Sequence, residues 1–258
     1  VKLDKRYTSI FNKLADGQMV VPHLESALLS DDWPESYSIE IDSGEYYGKG
    51  DGYFHPSTHP LMGARELYYR FHPDTRDLVI QERKSLQSHM TLAMGSALHG
   101  VIQTQLQMAG LLSPGDIEVE YVNHDHHVRG RIDFILNHPS GERVICELKT
   151  QNSFAFSKQE KVKPAWDAQL SLAMDAKGFD YGILLVMESG FPYGFREFRV
   201  PRNDSLLSEI YAKFDMVRSC IAMNTPPKFC CALGSKEMDN CPARFQCWLS
   251  DEPVTSKC

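Results

Sequence analysis

Residues 128–151, VRGRIDFILNHPSGERVICELKTQ, constrain this chain more than any other stretch. Two runs of strand character, Arg129–Leu136 and Arg143–Thr150, flank His138-Pro139-Ser140-Gly141, a Pro- and Gly-containing connection of hairpin type. The first run carries one acid, Asp133, among apolar residues, and the second carries Glu147 and Lys149 two residues apart. Strand side chains alternate, so Glu147 and Lys149 share one face. Cys146 and Leu148 take the other face, which can be packed. A hairpin that sets Asp133 beside Glu147 pairs two carboxylates next to an ammonium.

Two carboxylates on rigid strands can hold a hard divalent cation such as Mg²⁺ through oxygen ligands, and the Leu148 carbonyl can add another. Lys149 can orient or deprotonate a water beside that metal, which polarises a phosphoryl group and stabilises the leaving oxygen. These are parts for phosphodiester hydrolysis. The alternative is a surface ion-pair ladder, since Glu-x-Lys is common on exposed strands. The apolar setting of Val144, Ile145, Cys146 and Leu148 weighs against it, because charges in a buried strand are costly unless used.

The 258 residues allow one large domain or one domain with a small appendage. No apolar run approaches the roughly 20 residues of a membrane span. No secretory signal is visible at Val1-Lys2-Leu3-Asp4-Lys5, so the expectation is a cytoplasmic protein. The net charge of −7 argues against a chain coated in positive charge, but a carboxylate-lined metal site and a local basic groove are compatible with it. Four of the seven cysteines lie between positions 230 and 247, and in a cytosolic chain such a cluster favours a metal over disulfides.

Along the chain, Tyr7–Leu14 has helical spacing, and residues 17–60 are irregular, suited to an arm or flap. Leu61–Phe71 reads as a short amphipathic helix following His55 and His59; its Arg65 and Arg70 can meet phosphate or serve as ordinary helix-face charges. Leu86–Leu112 has the apolar spacing of a long helix, with Gly95-Ser96-Ala97-Leu98-His99-Gly100 in its middle. Small residues before His99 would let another backbone or a substrate come close. Ile117–Val122 is strand-like, with Glu118 and Glu120 on one face, and His124, His126 and His127 follow in an exposed turn. Residues 152–163 read as a polar loop whose Lys158, Lys161 and Lys163 would sit beside the C-terminal end of the Glu147 strand, suited to a DNA strand or simply solvated. Pro164 starts a helix, Ala165–Lys177, whose Gln169 is either a surface amide or faces the site. Strands at Tyr181–Met187 and Phe195–Val200 and a helix at Asn203–Met223 complete an α/β or α+β pattern with a mixed sheet. The expected division is an arm over 1–85 packing on the core, a core over 86–223 and a cysteine-rich segment over 224–258, together one compact unit. That last segment has too few apolar residues to fold unaided, and a metal on Cys230, Cys231, Cys241 and Cys247 would help fix it.

Taken together, the motifs resemble the RecB-like branch of the PD-(D/E)xK nuclease superfamily. Gly95-x-x-x-His99 is similar to that family's helix histidine, Gly130-Arg131-Ile132-Asp133 to its G-x-I-D strand, Glu147-Leu148-Lys149-Thr150 to its E-x-K strand, and Gln169 to the glutamine of the following helix. The four elements stand in family order over residues 95–170. Ala173 departs from the tyrosine the family often has four residues after the glutamine. Some members, among them CRISPR-adaptation and helicase–nuclease proteins, bind an iron–sulfur cluster through one early and three late cysteines. The early element is matched by Gly63-Ala64-Arg65-Glu66-Leu67-Tyr68-Tyr69 with Gly63 in place of the Cys, and the late one by Cys241-Pro242 through Cys247 with Met238 in place of the first Cys.

The resemblance implies a restriction-endonuclease-like core flanked by helices, with a metal-clipped C-terminal segment. It implies a metal-dependent DNA nuclease, by family habit an exonuclease acting at DNA ends or on single strands in recombination, repair or replication. His99, Asp133, Glu147 and the Leu148 carbonyl would bind Mg²⁺ or Mn²⁺, Lys149 would position the attacking water, and Gln169 would orient the site or a phosphate. Arg65, Arg131, Lys158, Lys161 and Lys163 are the expected DNA contacts, and Glu120 an assisting acid. For the second metal, His59 with three cysteines, one of them Cys230 or Cys231, would make a structural zinc set. A 4Fe–4S cluster is the alternative. A non-catalytic DNA-binding or scaffold module, a structural zinc protein and a sequence-specific endonuclease stand as rival readings.

Overall fold

Residues 18–39, 51–79 and 85–248 are described by the computed structural model. The Tyr7–Leu14 helix and Cys258 lie outside them.

The central hairpin forms. Strands β2 (Val128–Asn137) and β3 (Arg143–Gln151) pair antiparallel, with Phe134 opposite Cys146 and Asn137 opposite Arg143. The turn between them closes through His138 N–H donating to the Glu142 carbonyl at 2.8 Å, and Gly141 supplies φ +87, which a residue without Cβ adopts at little cost. Strand β3 then pairs parallel with β4 (Tyr181–Glu188), and β4 pairs antiparallel with β5 (Phe195–Pro201). With β1 (Ile117–Asn123) at the other edge, the result is a five-stranded mixed sheet of order β1-β2-β3-β4-β5. Helices flank it, so the chain is of the α/β class expected. Interior β4 is buried almost throughout, matching its continuous apolar run.

Local chemistry sets the helix ends. Helix α1 is Val21–Leu28 and α2 is Ala64–Phe71. Helix α3 spans Leu86–Met108, shorter than its apolar spacing suggests. It stops where Gly110 takes φ +73 and the Leu111 N–H returns to the Leu106 carbonyl at 2.9 Å. The expected loop at 152–163 contains a short helix, α4 (Ser153–Ser157), because the Asn152 side chain caps the Ala155 N–H at 2.9 Å. Helix α5 (Pro164–Lys177) bridges the two parallel strands, with Pro at its start and Gly178 at φ +74 after its end. The remaining helices are α6 (Asp204–Ala222), capped by Asn203, then α7 (Lys236–Asp239) and α8 (Arg244–Trp248). Among the described residues, no helix is long and apolar enough to cross a membrane.

Two units emerge. One takes the described residues of Val1–Glu45, Leu86–Tyr121 and Arg131–Arg202; the other takes those of Tyr46–Ser85, Val122–Gly130 and Asn203–Cys258. The first unit's core joins Val20 and Leu24 of the N-terminal segment, Ile102 and Leu106 of α3, and Phe134, Leu136, Val144, Cys146, Leu148, Ile183 and Leu185 of the sheet. Cys146 and Leu148 are therefore packed, which turns Glu147 and Lys149 to the opposite face. In the second unit, Phe54 stacks on Phe214 at 4.0 Å between ring centroids and is bonded through its backbone to His127 and Arg129.

Candidate active site

All the residues of the candidate site lie in the first unit. Asp133 and Glu147 project from the central hairpin, and Lys149 follows Glu147 on the same side. The Asp133 carboxylate accepts the Leu148 N–H at 2.6 Å, so a backbone donor fixes its orientation. Glu147 is only 3% exposed. Its Oε1 accepts from Lys149 Nζ at 2.6 Å and from Gln169 Nε2 at 2.6 Å, while Gln169 Oε1 accepts from Lys149 Nζ at 3.0 Å. Glu147, Lys149 and Gln169 thus form a closed three-membered network, with Gln169 carried in by α5. Gln169 faces the site; it is not a free surface amide.

Helix α3 supplies His99. At Gly95, an added Cβ would touch Thr150 Oγ1 at 3.6 Å, so α3 passes close over β3 one turn before the histidine. His99 Nδ1 lies 3.7 Å from Asp133 Oδ1. The same helix carries Gln103, buried, whose amide donates to the Asp133 carbonyl at 3.0 Å and to Glu118 Oε1 at 2.8 Å.

Glu118 is the residue that sequence reasoning passed over. Both Glu118 and Glu120 lie on β1, and Glu120 was expected to assist. Glu118 instead enters the site: its backbone takes φ +52, and Arg131 Nε and Gln103 hold its two oxygens. Glu120 is exposed. Alternation alone cannot separate two acids two residues apart; the left-handed backbone at Glu118 is the feature that sets it apart. Among the described residues, His99, Glu118 and Asp133 form the one trio of potential metal ligands with donor atoms all within 4.8 Å of one another. A nitrogen and two carboxylates at that spacing fit a divalent ion.

Electrostatics follow from burial. The Asp133 carboxyl is pushed up to about 6, chiefly by desolvation, and the Glu147 carboxyl up to about 7 by desolvation and then by the Asp133 charge. Burial also works against the Lys149 ammonium, but the charges of Glu147 and Asp133 and its hydrogen bond outweigh that, so its pKa is raised. Lys149 is thus held as a cation and is a donor rather than a base. Burial lowers the His99 pKa, leaving a neutral imidazole with a lone pair free for a metal.

The expected DNA contacts divide. Arg131 is committed to Glu118. In the second unit, Arg65 donates to Pro227 O, to Tyr69 Oη and, at 3.1 Å, to Cys247 Sγ, and it stacks on Phe229 at 4.0 Å. It ties the C-terminal segment down instead of presenting a free guanidinium. Lys158, Lys161 and Lys163 are exposed; Lys158 lies over Phe154 and Lys163 over Trp166.

The cysteines occupy the second unit. Cys230 Sγ fills the space beside Gly63, where an added Cβ would come within 2.5 Å of it. The thiol thus stands where a side chain at position 63 would begin. Cys241, pushed up to about 11 mainly by burial, and Cys247, raised by burial, each feel both Cys230 and Cys231. Zinc bound at about 2.3 Å to each sulfur needs thiols about 3.8 Å apart. The four cysteines do not contract to a trio within 4.8 Å. His59 Nδ1 accepts the His55 N–H at 2.6 Å, and its ring packs against Phe54 and Phe71. Burial lowers its pKa to about 3. The expected zinc set of His59 with three cysteines is therefore not assembled among the described residues.

The chain matches no protein-family model and no curated protein. Its fold is similar to the crystal structure of SSO0001, with 17% identity over 87% of this chain and 92% of that one and a TM-score of 0.47. An alkaline exonuclease of Laribacter hongkongensis, LHK-Exo, shares 17% identity over 67% of this chain and 89% of its own, with a TM-score of 0.46. A protein of Eubacterium rectale assigned as an exonuclease shares 12% identity over 84% and 97%, with a TM-score of 0.48.

Proposed function

We propose that this chain is a divalent-metal-dependent DNA nuclease, an exonuclease acting at DNA ends or on single strands. One observation carries the reading. Asp133, Glu147, Lys149, Gln169, His99 and Glu118 converge from three strands and two helices, with the carboxyl pKa values raised by burial. A salt-bridge ladder has no use for two carboxyls that desolvation pushes toward neutrality.

His99, Glu118 and Asp133 would hold the ion, and the family resemblance adds Glu147 and the Leu148 carbonyl. Because one ligand is an imidazole, Mn²⁺ suits the set better than Mg²⁺, which prefers oxygen alone. The ion supplies Lewis acidity to the scissile phosphoryl group and to the attacking water. The chain's own residues do the rest. The Lys149 ammonium, fixed by Glu147 and Gln169, donates a hydrogen bond to the water or to a non-bridging phosphate oxygen. Asp133 is kept in register by the Leu148 N–H, and Glu118 by Gln103 and Arg131.

Cys230, Cys231, Cys241 and Cys247 would hold a second, structural metal. Zinc, or as the alternative a 4Fe–4S cluster, would suit their thiolates. Absorbance near 400 nm and metal analysis of protein purified without oxygen test that assignment.

The nuclease reading is tested with metal-free protein and end-labelled single- and double-stranded DNA, with and without Mn²⁺, beside Glu147→Ala. Shortening that requires Mn²⁺ and is lost in the variant supports it, and the labelled end that disappears first gives polarity. Binding without cleavage would replace it with a non-catalytic DNA-binding module.

A further inference from the structure

We infer that Phe154, Phe191 and Tyr193 form a base-stacking platform that, with Lys158, grips single-stranded DNA beyond the C-terminal ends of β3 and β4. The inference rests on the nuclease reading above and names where its substrate strand lies.

Three large rings stand in water on two touching segments. Phe154, on α4, is 72% exposed, and Phe191 and Tyr193, in the β4–β5 turn, are 86% and 52% exposed. The segments are packed together. The Ser189 N–H donates to the Gln151 carbonyl at 2.7 Å, and at Gly194 an added Cβ would meet the Phe156 ring at 3.1 Å. The turn is braced from within by Tyr193 N–H to Gly190 O at 2.7 Å and by Glu188 N–H to Gly194 O at 2.9 Å. Tyr193 itself is held at φ +59, a left-handed conformation that a bulky residue rarely adopts. Exposed aromatics on a braced turn do not contribute to the core.

Charge selects the occupant. Lys158 Nζ sits 3.8 Å from the Phe154 ring centroid, and Arg196 lies 4.9 Å from that of Phe156. Residues 152–163 carry three lysines against one glutamate in a chain of net charge −7. Interleaved rings and cations suit a polyanion with π faces, namely nucleic acid. Position selects it too. Lys149 and Ser153 are four residues apart, at most about 13 Å of extended chain, so a strand leaving the catalytic centre reaches the platform directly.

The test measures binding of a single-stranded oligonucleotide carrying one 2-aminopurine to the full chain in chelator, for the wild type, Phe154→Ala/Phe191→Ala/Tyr193→Ala, and Phe154→Trp. Wild type should bind with quenched 2-aminopurine fluorescence. The triple variant should lose at least tenfold in affinity and lose the quenching, while Phe154→Trp retains both. Triple-variant binding within twofold of wild type, or binding without quenching, overturns the inference. Mn²⁺-dependent cleavage by the wild type, run alongside, separates the two failures: cleavage with unaltered triple-variant binding sinks only the platform, and neither cleavage nor binding sinks both. Tight wild-type binding of a protein partner with no DNA binding overturns the platform in favour of a protein-docking face.

Discussion

At the level of single residues, the site is a set of charges placed where charge is costly. Asp133 is held at about 6 in the folded chain against 3.8 for the free side chain. Between those values the native state keeps a proton that the unfolded chain has lost, so stability falls as pH rises. That difference corresponds to about 3 kcal/mol. Asp133→Asn in metal-free protein is therefore expected to raise the unfolding free energy at pH 8 by up to that amount, read from urea titration, and to leave it nearly unchanged at pH 4. A variant that is less stable at pH 8 would mean the carboxylate is favourably held without metal. Glu118 and Glu120 give a second expectation. Glu118→Ala should weaken Mn²⁺ binding at least tenfold in calorimetry, and Glu120→Ala should not, because only Glu118 stands with His99 and Asp133. The sequence made Asp133, Glu147 and Lys149 legible, since acids and a lysine in apolar strands announce themselves. It could not make Glu118 legible, because its place depends on one backbone angle and on Gln103 from another element.

At the level of elements, the site depends on β3 lying flat against β4. Gly182 in β4 faces Ile145 in β3, and an added Cβ would come within 2.7 Å of Ile145 Cγ2 and 3.0 Å of its carbonyl oxygen. A carbonyl in a sheet cannot move aside. Gly182→Ala is thus expected to destabilise by about 1–3 kcal/mol, as overpacked cores do, read from the urea midpoint. It should also depress activity, since Glu147 lies two residues along the same strand. Unchanged stability would show that the pairing has slack. Strand and helix placement was largely readable from apolar periodicity and from Pro164 and Asn203 at helix starts. Other elements were hidden: α1 lies in a stretch that reads as irregular, α4 depends on the Asn152 cap, and the end of α3 on the left-handed Gly110. The cysteine segment shows the same limit from the other side. Its motif spacing pointed to an early ligand near position 63, but only the fold places Cys230 against Gly63.

For the molecule as a whole, these local costs become a dependence of folding on metal. Asp133 and Glu147 both titrate above their free values, to about 6 and about 7, so without a metal they make the native state less stable as pH rises toward neutrality. An ion that binds only the folded chain reverses this, by about 2.7 kcal/mol when its concentration is a hundredfold above the dissociation constant. In a chain of 258 residues, each kcal/mol moves the melting temperature by about 2–4 °C. Saturating Mn²⁺ should therefore raise the melting temperature by about 5–10 °C over chelator at pH 8. At pH 5 the carboxyls are largely protonated and protons compete with the ion, so the shift should shrink to a small fraction of that. Asp133→Asn should abolish most of the shift at pH 8, which ties it to this site and not to the cysteines. A shift of equal size at both pH values, or one that survives Asp133→Asn, would place the stabilising ion elsewhere. The carboxyls raised by burial would then be without the partner that makes their burial tolerable.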